Sequence, residues 1–321
     1  MPAIITHDRF AQEMLGLPAT SFISTEEEKN AFLLGSQGPD PLFFCVVSPQ
    51  LATYRQLGSL MHDKKPADLL QAISHAATKV PSNAQGVVRA FSAGFLCHYL
   101  LDRAAHPFVY SQQYALCNAG IEGLTAKDGH EVHAVIESEL DEYMLYTRTG
   151  LTISAYKPYK EILKASDQTL AALSHALCTT FWEVYGRLSP AHLFSKSVQN
   201  YRLVQFATYS PHGVKRQIYG MVERRFRNHS FAQAFCHRPL ALTESAFGNH
   251  KHHTWTNPFT GEIHTESFDG IFDKTLVEAN EAIPAFMEGL SFEEAYNLTK
   301  NINFSGKVTS DEQSKETATN H

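Results

Sequence analysis

Apolar residues recur at intervals of three or four along most of the chain, and the strict alternation of a strand is scarce. Thr25 and Glu28 form a capping box, which predicts a helix that runs to about Gly35. Pro107 disfavours the helical conformation of the residue before it, so the nearly all-apolar helix that precedes it should end at His106. The predicted longer helices cover residues 66–80, 84–106, 129–146, 159–185, 214–228 and 268–288. We therefore predict an all-α fold, a multi-helix bundle.

Composition distinguishes one long predicted domain from a polar segment at the C-terminal end of the chain. We predict a single helical domain over residues 1–304, with a separate C-terminal helical subdomain from about residue 150 as the alternative. Residues 305–321 are polar and charged and lack large apolar side chains, which predicts a disordered tail. Residues 249–264 are rich in Gly, Pro, Asn and His, which predicts a loop with a short hairpin around Thr260 and Gly261.

Charge and cysteine usage narrow the classes of function. The formal net charge of −6 gives no support to nucleic-acid binding, which usually shows as a basic surplus, although it does not exclude such a partner. The 5 cysteines are scattered and lack a CxxC pair, as is typical of reduced thiols. The stretch MPAIITHDRF lacks a secretory signal, and no apolar run reaches the roughly 18 residues of a membrane span. We therefore expect a cytoplasmic protein without a transmembrane segment.

Candidate chemistry begins in the apolar stretch HYLLD. His98 and Asp102 lie four residues apart in it, and His106 follows four residues further on. Residues at this spacing share one face of a helix, so the first two side chains can point at a common atom. An unpaired aspartate among leucines is costly to bury, and a metal ion or a tight pair with histidine would offset that cost. The pattern indicates a metal site, with a buried structural pair as the alternative.

A second stretch, HEVHAVIESELD, repeats this spacing with His133, Glu137 and Asp141. Imidazole and carboxylate groups are typical ligands of zinc and of other divalent transition metals. For this helix alone, a solvated acidic face explains the pattern nearly as well. Two such helices in one chain favour a multinuclear metal site inside a helical bundle.

Together with three earlier residues, these motifs resemble those of the bacterial zinc-dependent phospholipase C family. The matching features are His7, Asp40 in GPDP, His62, HYLLD from His98, His106-Pro107 and HAVIE from His133. HYLLD and HAVIE are the specific ones, and the resemblance covers roughly residues 5–145. The segment WTNP from Trp255 is similar to a C-terminal feature of the family's cytoplasmic relatives. The resemblance implies an all-helical bundle of this type, a fold shared more distantly with single-strand-specific fungal nucleases.

The resemblance also implies which residues bind metal. A first zinc ion would be bound by Asp40, His62, His98 and Asp102. A second would be bound by His106, His133 and Glu137. The third zinc ion of the family uses an early histidine, here His7, together with Asp102. In the secreted phospholipases this third site includes the amino group of an N-terminal tryptophan, whereas this chain has Met1-Pro2, so two or three zinc ions are expected.

The reaction implied by the family is metal-dependent hydrolysis of a phosphoric ester. Clustered zinc ions would lower the pKa of bound water toward about 7 and neutralise charge on the phosphoryl oxygens. Asp40, by its matching position, would both bind metal and accept the proton of the attacking water. We expect a phospholipase C-like enzyme whose substrate is a small phosphodiester or a phospholipid headgroup.

Two alternatives use the same region differently. The ligand set of an HD-type metal phosphohydrolase would be His7, His62, Asp63 and Asp102. That set leaves the HAVIE helix without a role, and it requires Asp63 where the phospholipase-like set requires Asp40. The chain could also be a non-catalytic helical binding module in which the metal supplies folding free energy.

The predicted helix over residues 214–228 is basic and amphipathic. Its cations are Lys215, Arg216, Arg224, Arg225 and Arg227. They could bind phosphate or an anionic surface, or they could form a solvated face.

Overall fold

A computed structural model describes residues 3–225 and 230–309, and within these ranges the fold is all-α, as predicted. The α-helices are α1 (Ile4–Met14), α2 (Glu26–Gly35), α3 (Arg55–Asp63), α4 (Pro66–Ser74), α5 (Ser82–Cys117), α6 (Gly129–Thr149), α7 (Pro158–Glu161), α8 (Asp167–Tyr185), α9 (Leu193–Thr208), α10 (Val214–Glu223), α11 (Phe231–Ala234), α12 (Phe268–Met287) and α13 (Phe292–Thr299). Short 3₁₀ segments cover Pro18–Thr20, Asp40–Val47, Pro49–Tyr54, Ala76–Lys79 and Ala126–Asp128. Two-residue strands β1 (Trp255–Thr256) and β2 (Ile263–His264) pair antiparallel and confirm the predicted hairpin.

Helix α5 is the centre of the bundle and packs against α2, α6, α8 and α12. Helix α5 crosses α2 where Gly94 meets Gly35. The two backbones are so close there that a Cβ on Gly94 would lie 2.0 Å from the carbonyl oxygen of Phe32. Close backbone approach of this kind requires glycine. The crossing brings the residues just after α2 against the middle of α5, where His98 lies.

Helix α5 runs past Pro107 to Cys117, so the predicted end at His106 is wrong. A proline inside a helix costs about 3 kcal/mol, because its missing N–H leaves a carbonyl unpaired. Phe108 and Val109, which follow the proline, are buried in the core, and burying each stabilises the fold by about 1.5–3 kcal/mol. Continuing the helix therefore offsets the cost of the proline.

The predicted helix over residues 159–185 is divided in two. Helix α7 ends at Glu161, and Leu163 has a positive φ of 62° that no helix contains. The Leu163 side chain is buried, and the hydroxyl of Ser166 then accepts from the backbone N–H of Thr169 to begin α8. The burial of an aliphatic side chain thus competes with helix continuity and prevails.

Buried apolar residues from the two halves of the chain belong to one cluster, which includes Phe10 on α1, Phe181 on α8 and Phe286 on α12. The prediction of a single domain over residues 1–304 stays a prediction. Residues 305–309, predicted as the start of a disordered tail, form a turn in which the backbone N–H of Lys307 donates to Asn303 Oδ1. Residues 310–321 lie outside the described ranges. Among the described helices, none combines the length and apolarity that crossing a bilayer requires.

Candidate metal centre

Helix α5 presents His98, Asp102 and His106 on one face. The Asp102 carboxylate lies 3.3 Å from His98 Nε2 and 3.7 Å from His106 Nδ1. Because α5 continues past Pro107, His106 keeps its helical position on this face. The buried Asp102 carboxylate therefore lies between two imidazoles of its own helix.

A first group of possible metal ligands consists of Asp40, His62 and His98, whose ligand atoms all lie within 4.8 Å of one another. Asp40 is buried at the start of a 3₁₀ segment, and its Oδ1 lies 3.1 Å from Nε2 of His62 on α3. Gly38, two residues before Asp40, allows the chain to pass close to His98, because it has a φ of 51° and a Cβ there would lie 2.2 Å from the His98 ring.

A second group consists of His7, His98 and Asp102. His7 lies on α1, and its Nε2 is 3.1 Å from Asp102 Oδ1. The His7 ring stacks on the His98 ring with centroids 4.2 Å apart. His98 belongs to both groups, so the two are one continuous cluster.

The third group joins α5 to α6 and consists of His106, His133 and Glu137. Glu137 Oε1 lies 3.2 Å from His133 Nε2 on the same helix and 3.5 Å from His106 Nε2. The structure thus brings all eight predicted metal residues into one centre. Their roles as ligands stay predictions, which are taken up below.

Four of the five imidazoles are held by a hydrogen bond at Nδ1. The pairs are His62 with Gly58 O (2.8 Å), His98 with Ser36 O (3.0 Å), His106 with Phe304 O (2.7 Å) and His133 with Gln113 Oε1 (2.9 Å). A carbonyl oxygen only accepts, so Nδ1 donates in each pair and Nε2 is the ring atom that remains to bind a proton or a metal ion. Metal-binding histidines are oriented in this way by acceptors outside the first coordination shell.

The Nε2 atoms face carboxylates, and each such pair requires a positive charge between its two atoms. His98 Nε2 is buried without a hydrogen-bond partner among the described residues, 3.3 Å from Asp102 Oδ2. Two acceptors at such a distance repel each other unless a proton or a metal ion lies between them. Buried imidazoles and carboxylates of this kind are a donor set that zinc prefers. The residues present therefore fit zinc.

The charges of the cluster change its pKa values. Burial raises the pKa of Asp102, but the imidazoles of His106 and His98 outweigh it and hold that pKa well below its usual range. Burial also raises the pKa of Glu137, but nearby positive charges and hydrogen bonds, those of His133 and His106 among them, outweigh burial and hold this pKa well below the usual range. The pKa of His106 is raised to about 9, because Asp102 and Glu137 outweigh the effect of burial. Both carboxylates are therefore ionised at neutral pH and can bind a cation.

A pocket of about 470 Å³ opens beside the three groups. The predicted metal residues along its wall are Asp40, His62, Asp102, His106, His133 and Glu137. Phe43 and Tyr110 supply aromatic walls, and Asp63, His130 and Ser305 supply polar ones. Asp63 and His130 line the pocket, but neither belongs to a possible metal group in the described part of the chain. The structure thus does not assemble the HD-type ligand set around Asp63.

Gln113 and Phe304 orient two of the candidate ligand histidines, and no motif predicts either residue. Gln113 lies on the face of α5 that carries the candidate ligands, seven residues after His106, and this spacing is a signal that could have identified it. Phe304 acts through its backbone carbonyl, which any residue type carries, so no sequence signal could have identified it. Its side chain also contacts the His98 and His62 rings.

An all-helical fold whose central helices converge on clustered histidines and carboxylates defines a class of metal-binding helical proteins. Within that class, the chain belongs to the zinc-dependent phospholipase C family, whose family model matches residues 5–185, more than half of the chain. The family resemblance inferred from the motifs is confirmed, and the expectation of zinc as the cofactor agrees with it. No curated protein and no solved structure matches the chain.

Proposed function

We propose that this chain is a zinc-dependent phosphoester hydrolase that cleaves a phosphodiester bond, as a phospholipase C does. The membership of the family supports the reaction class. The observation that carries the proposal for this chain is the open pocket along one side of the possible metal groups. Structural zinc sites are closed by protein ligands, whereas catalytic sites keep a position open. The pocket volume also lies in the range of sites for small ligands.

We assign the ligands by the groups that the fold assembles. Asp40, His62, His98 and Asp102 would hold one zinc ion. His106, His133 and Glu137 would hold another. His7 and Asp102, next to His98, would hold a third. Asp102 has one carboxylate oxygen toward His7 and the other toward His98, which suits a bridging ligand.

The bound zinc ions would supply a Lewis acid that lowers the pKa of water and neutralises charge on phosphoryl oxygens. The protein residues would hold and position the reacting groups. Burial raises the pKa of Asp40, but nearby positive charges and hydrogen bonds outweigh burial and hold this pKa below the usual value; the hydrogen bond to His62 and the charge of His98 are among them. Asp40 is therefore ionised, and it lines the pocket where it can accept a proton from attacking water. Phe43 and Tyr110 would limit the access of bulk water.

The decisive experiment compares two aspartates of the same pocket. Asp40→Asn should lower the hydrolysis of bis(p-nitrophenyl) phosphate and of a phospholipid by about 100-fold or more, because a proton acceptor and metal ligand is lost. The matched control, Asp63→Asn, should change kcat/KM by only a few-fold. Full activity of Asp40→Asn contradicts the proposal, and loss of activity in Asp63→Asn alone favours the HD-type reading. Zinc-loaded wild-type protein that hydrolyses neither substrate would favour the non-catalytic module.

A further inference from the structure

Helix α10 presents an apolar face to solvent. Val214, Ile218, Met221 and Val222 are 60%, 47%, 63% and 52% exposed. Helical spacing places these four side chains on one side of the helix, and the buried Gly220 lies on the other. An amphipathic helix of a globular protein ordinarily turns its apolar face to the core. This helix does the reverse.

The exposed face continues onto helix α9. Leu203 and Phe206 on α9 are 56% and 53% exposed. Lys215 joins the helices, because its Nζ donates to the carbonyl oxygen of Phe206 at 3.0 Å and lies 5.0 Å from that ring. The Tyr219 hydroxyl also donates to the carbonyl oxygen of Ala207, at 3.2 Å. The six exposed apolar residues, which we call the α9–α10 patch, are Leu203, Phe206, Val214, Ile218, Met221 and Val222.

Cations lie on the same helix segments as the α9–α10 patch. Arg202, Arg224 and Arg225 are exposed, and Lys215 is half-buried. The acid of α10, Glu223, is occupied within the protein, where it accepts from the Ser230 hydroxyl and from the backbone N–H of Ala232. The whole chain has a net charge of −6, so this group of cations is a local feature. Arg227, which was also predicted on this helix, lies outside the described residues.

We propose that the α9–α10 patch docks onto an anionic phospholipid surface. Apolar side chains would enter the boundary between headgroups and acyl chains, and the flanking cations would contact lipid phosphates. A nucleic acid would pair with the cations but leave the apolar residues exposed, and a second copy of the chain would bring like charges together. The choice of a lipid among anionic partners rests also on the proposed function.

The test is co-sedimentation of the zinc-loaded protein with vesicles of phosphatidylglycerol and phosphatidylcholine, beside vesicles of phosphatidylcholine alone. We expect binding to the anionic vesicles that weakens at high salt. Val222→Asp should weaken this binding by about tenfold or more, since the variant loses the free energy of burying the valine side chain in the lipid. Arg225→Glu should weaken it as well. The matched control is Val277→Asp on α12, where the replaced valine is 60% exposed and the change of net charge is the same.

Each other outcome overturns the proposal. These outcomes are no sedimentation of the wild type, equal binding to uncharged vesicles, and equal loss in Val222→Asp and Val277→Asp. A dimer in sedimentation velocity that Val222→Asp separates would make a second copy the occupant. Hydrolysis of bis(p-nitrophenyl) phosphate separates the two proposals, because Val222→Asp should retain it. Wild-type protein that binds anionic vesicles but cleaves no ester would end the proposed function and leave the docking surface standing.

Discussion

The carboxylate of Asp141 on α6 accepts a hydrogen bond from the backbone N–H of Thr6, at 2.7 Å, in the first turn of α1. The same carboxylate accepts from the backbone N–H of Ile5 at 3.1 Å and is paired with His237 Nε2 at 3.0 Å. The residue before α1, Ala3, offers no side-chain cap. A carboxylate from another helix therefore satisfies the orphan donors of α1 and fixes the helix that carries His7.

Replacing Asp141 by alanine should destabilise the protein strongly. The change leaves two helix N–H groups and a buried imidazole without their acceptor, and breaking a buried ion pair costs about 3–5 kcal/mol. The free energy of unfolding, measured by urea denaturation, is the readout. The control is Asp273→Ala, which removes an exposed partner of Arg148 and should cost less than about 1 kcal/mol. Equal effects of the two changes would show that the cap is not important.

The zinc content should depend on how many zinc ions a residue is proposed to hold. Asp102 is assigned to two zinc ions, with one carboxylate oxygen toward His7 and the other toward His98, and His133 is assigned to one. We therefore expect Asp102→Ala to lose more zinc than His133→Ala, with the second variant losing about one equivalent. Plasma mass spectrometry of purified protein measures this directly. His130→Ala, an exposed histidine on the same helix as His133, should keep the wild-type content. Protein that stays folded but takes up no zinc would contradict the ligand assignment.

The hydrogen bond between Gln113 and His133 should matter for the metal affinity. Gln113→Ala removes the acceptor of the His133 Nδ1–H, and loss of such partners typically weakens metal binding by about 10–100-fold. Gln113→Glu keeps an acceptor oxygen and should restore most of the affinity. Competition with a fluorescent zinc chelator measures both variants. If Gln113→Ala binds zinc as tightly as the wild type, the imidazole is held by other contacts.

The affinity for zinc should rise with pH through the neutral range. In the zinc-free protein, Asp102 and Glu137 raise the pKa of His106 to about 9, against the effect of burial, so this imidazole carries a proton at neutral pH. Zinc must displace that proton, and its apparent affinity should therefore increase by about tenfold per pH unit below 9. Chelator competition between pH 6.5 and 8 tests the slope. The dependence should become shallower in His106→Ala, and an unchanged slope would point to a different proton.

Local periodicity predicted the parts of the centre that one helix carries. His98 and Asp102 on α5, and His133 and Glu137 on α6, follow from the spacing of four residues, because the backbone of a helix determines which side chains share a face. Pro107 shows the limit of such rules. Its local preference predicted the end of α5, whereas burial of the residues after it prevails.

Contacts between distant segments had no such signal. His106 donates to the carbonyl of Phe304 and Asp141 pairs with His237, across separations of 198 and 96 residues. A backbone carbonyl has no residue identity, and a histidine far along the chain has no spacing relationship with a partner on another helix. The outward apolar face of α10 was equally invisible, because its composition alone suits a helix packed in either direction.

The sequence by itself determined the all-α class, the two helices that carry the candidate ligands and, through its motifs, the family. These depend on residue order within single segments, and helical geometry converts that order into position. Only the tertiary structure decided that His98 serves two groups, that Asp141 caps the helix of His7 and that a pocket stays open beside the centre. Those features depend on how helices pack, which is set by the burial of side chains from the whole chain at once.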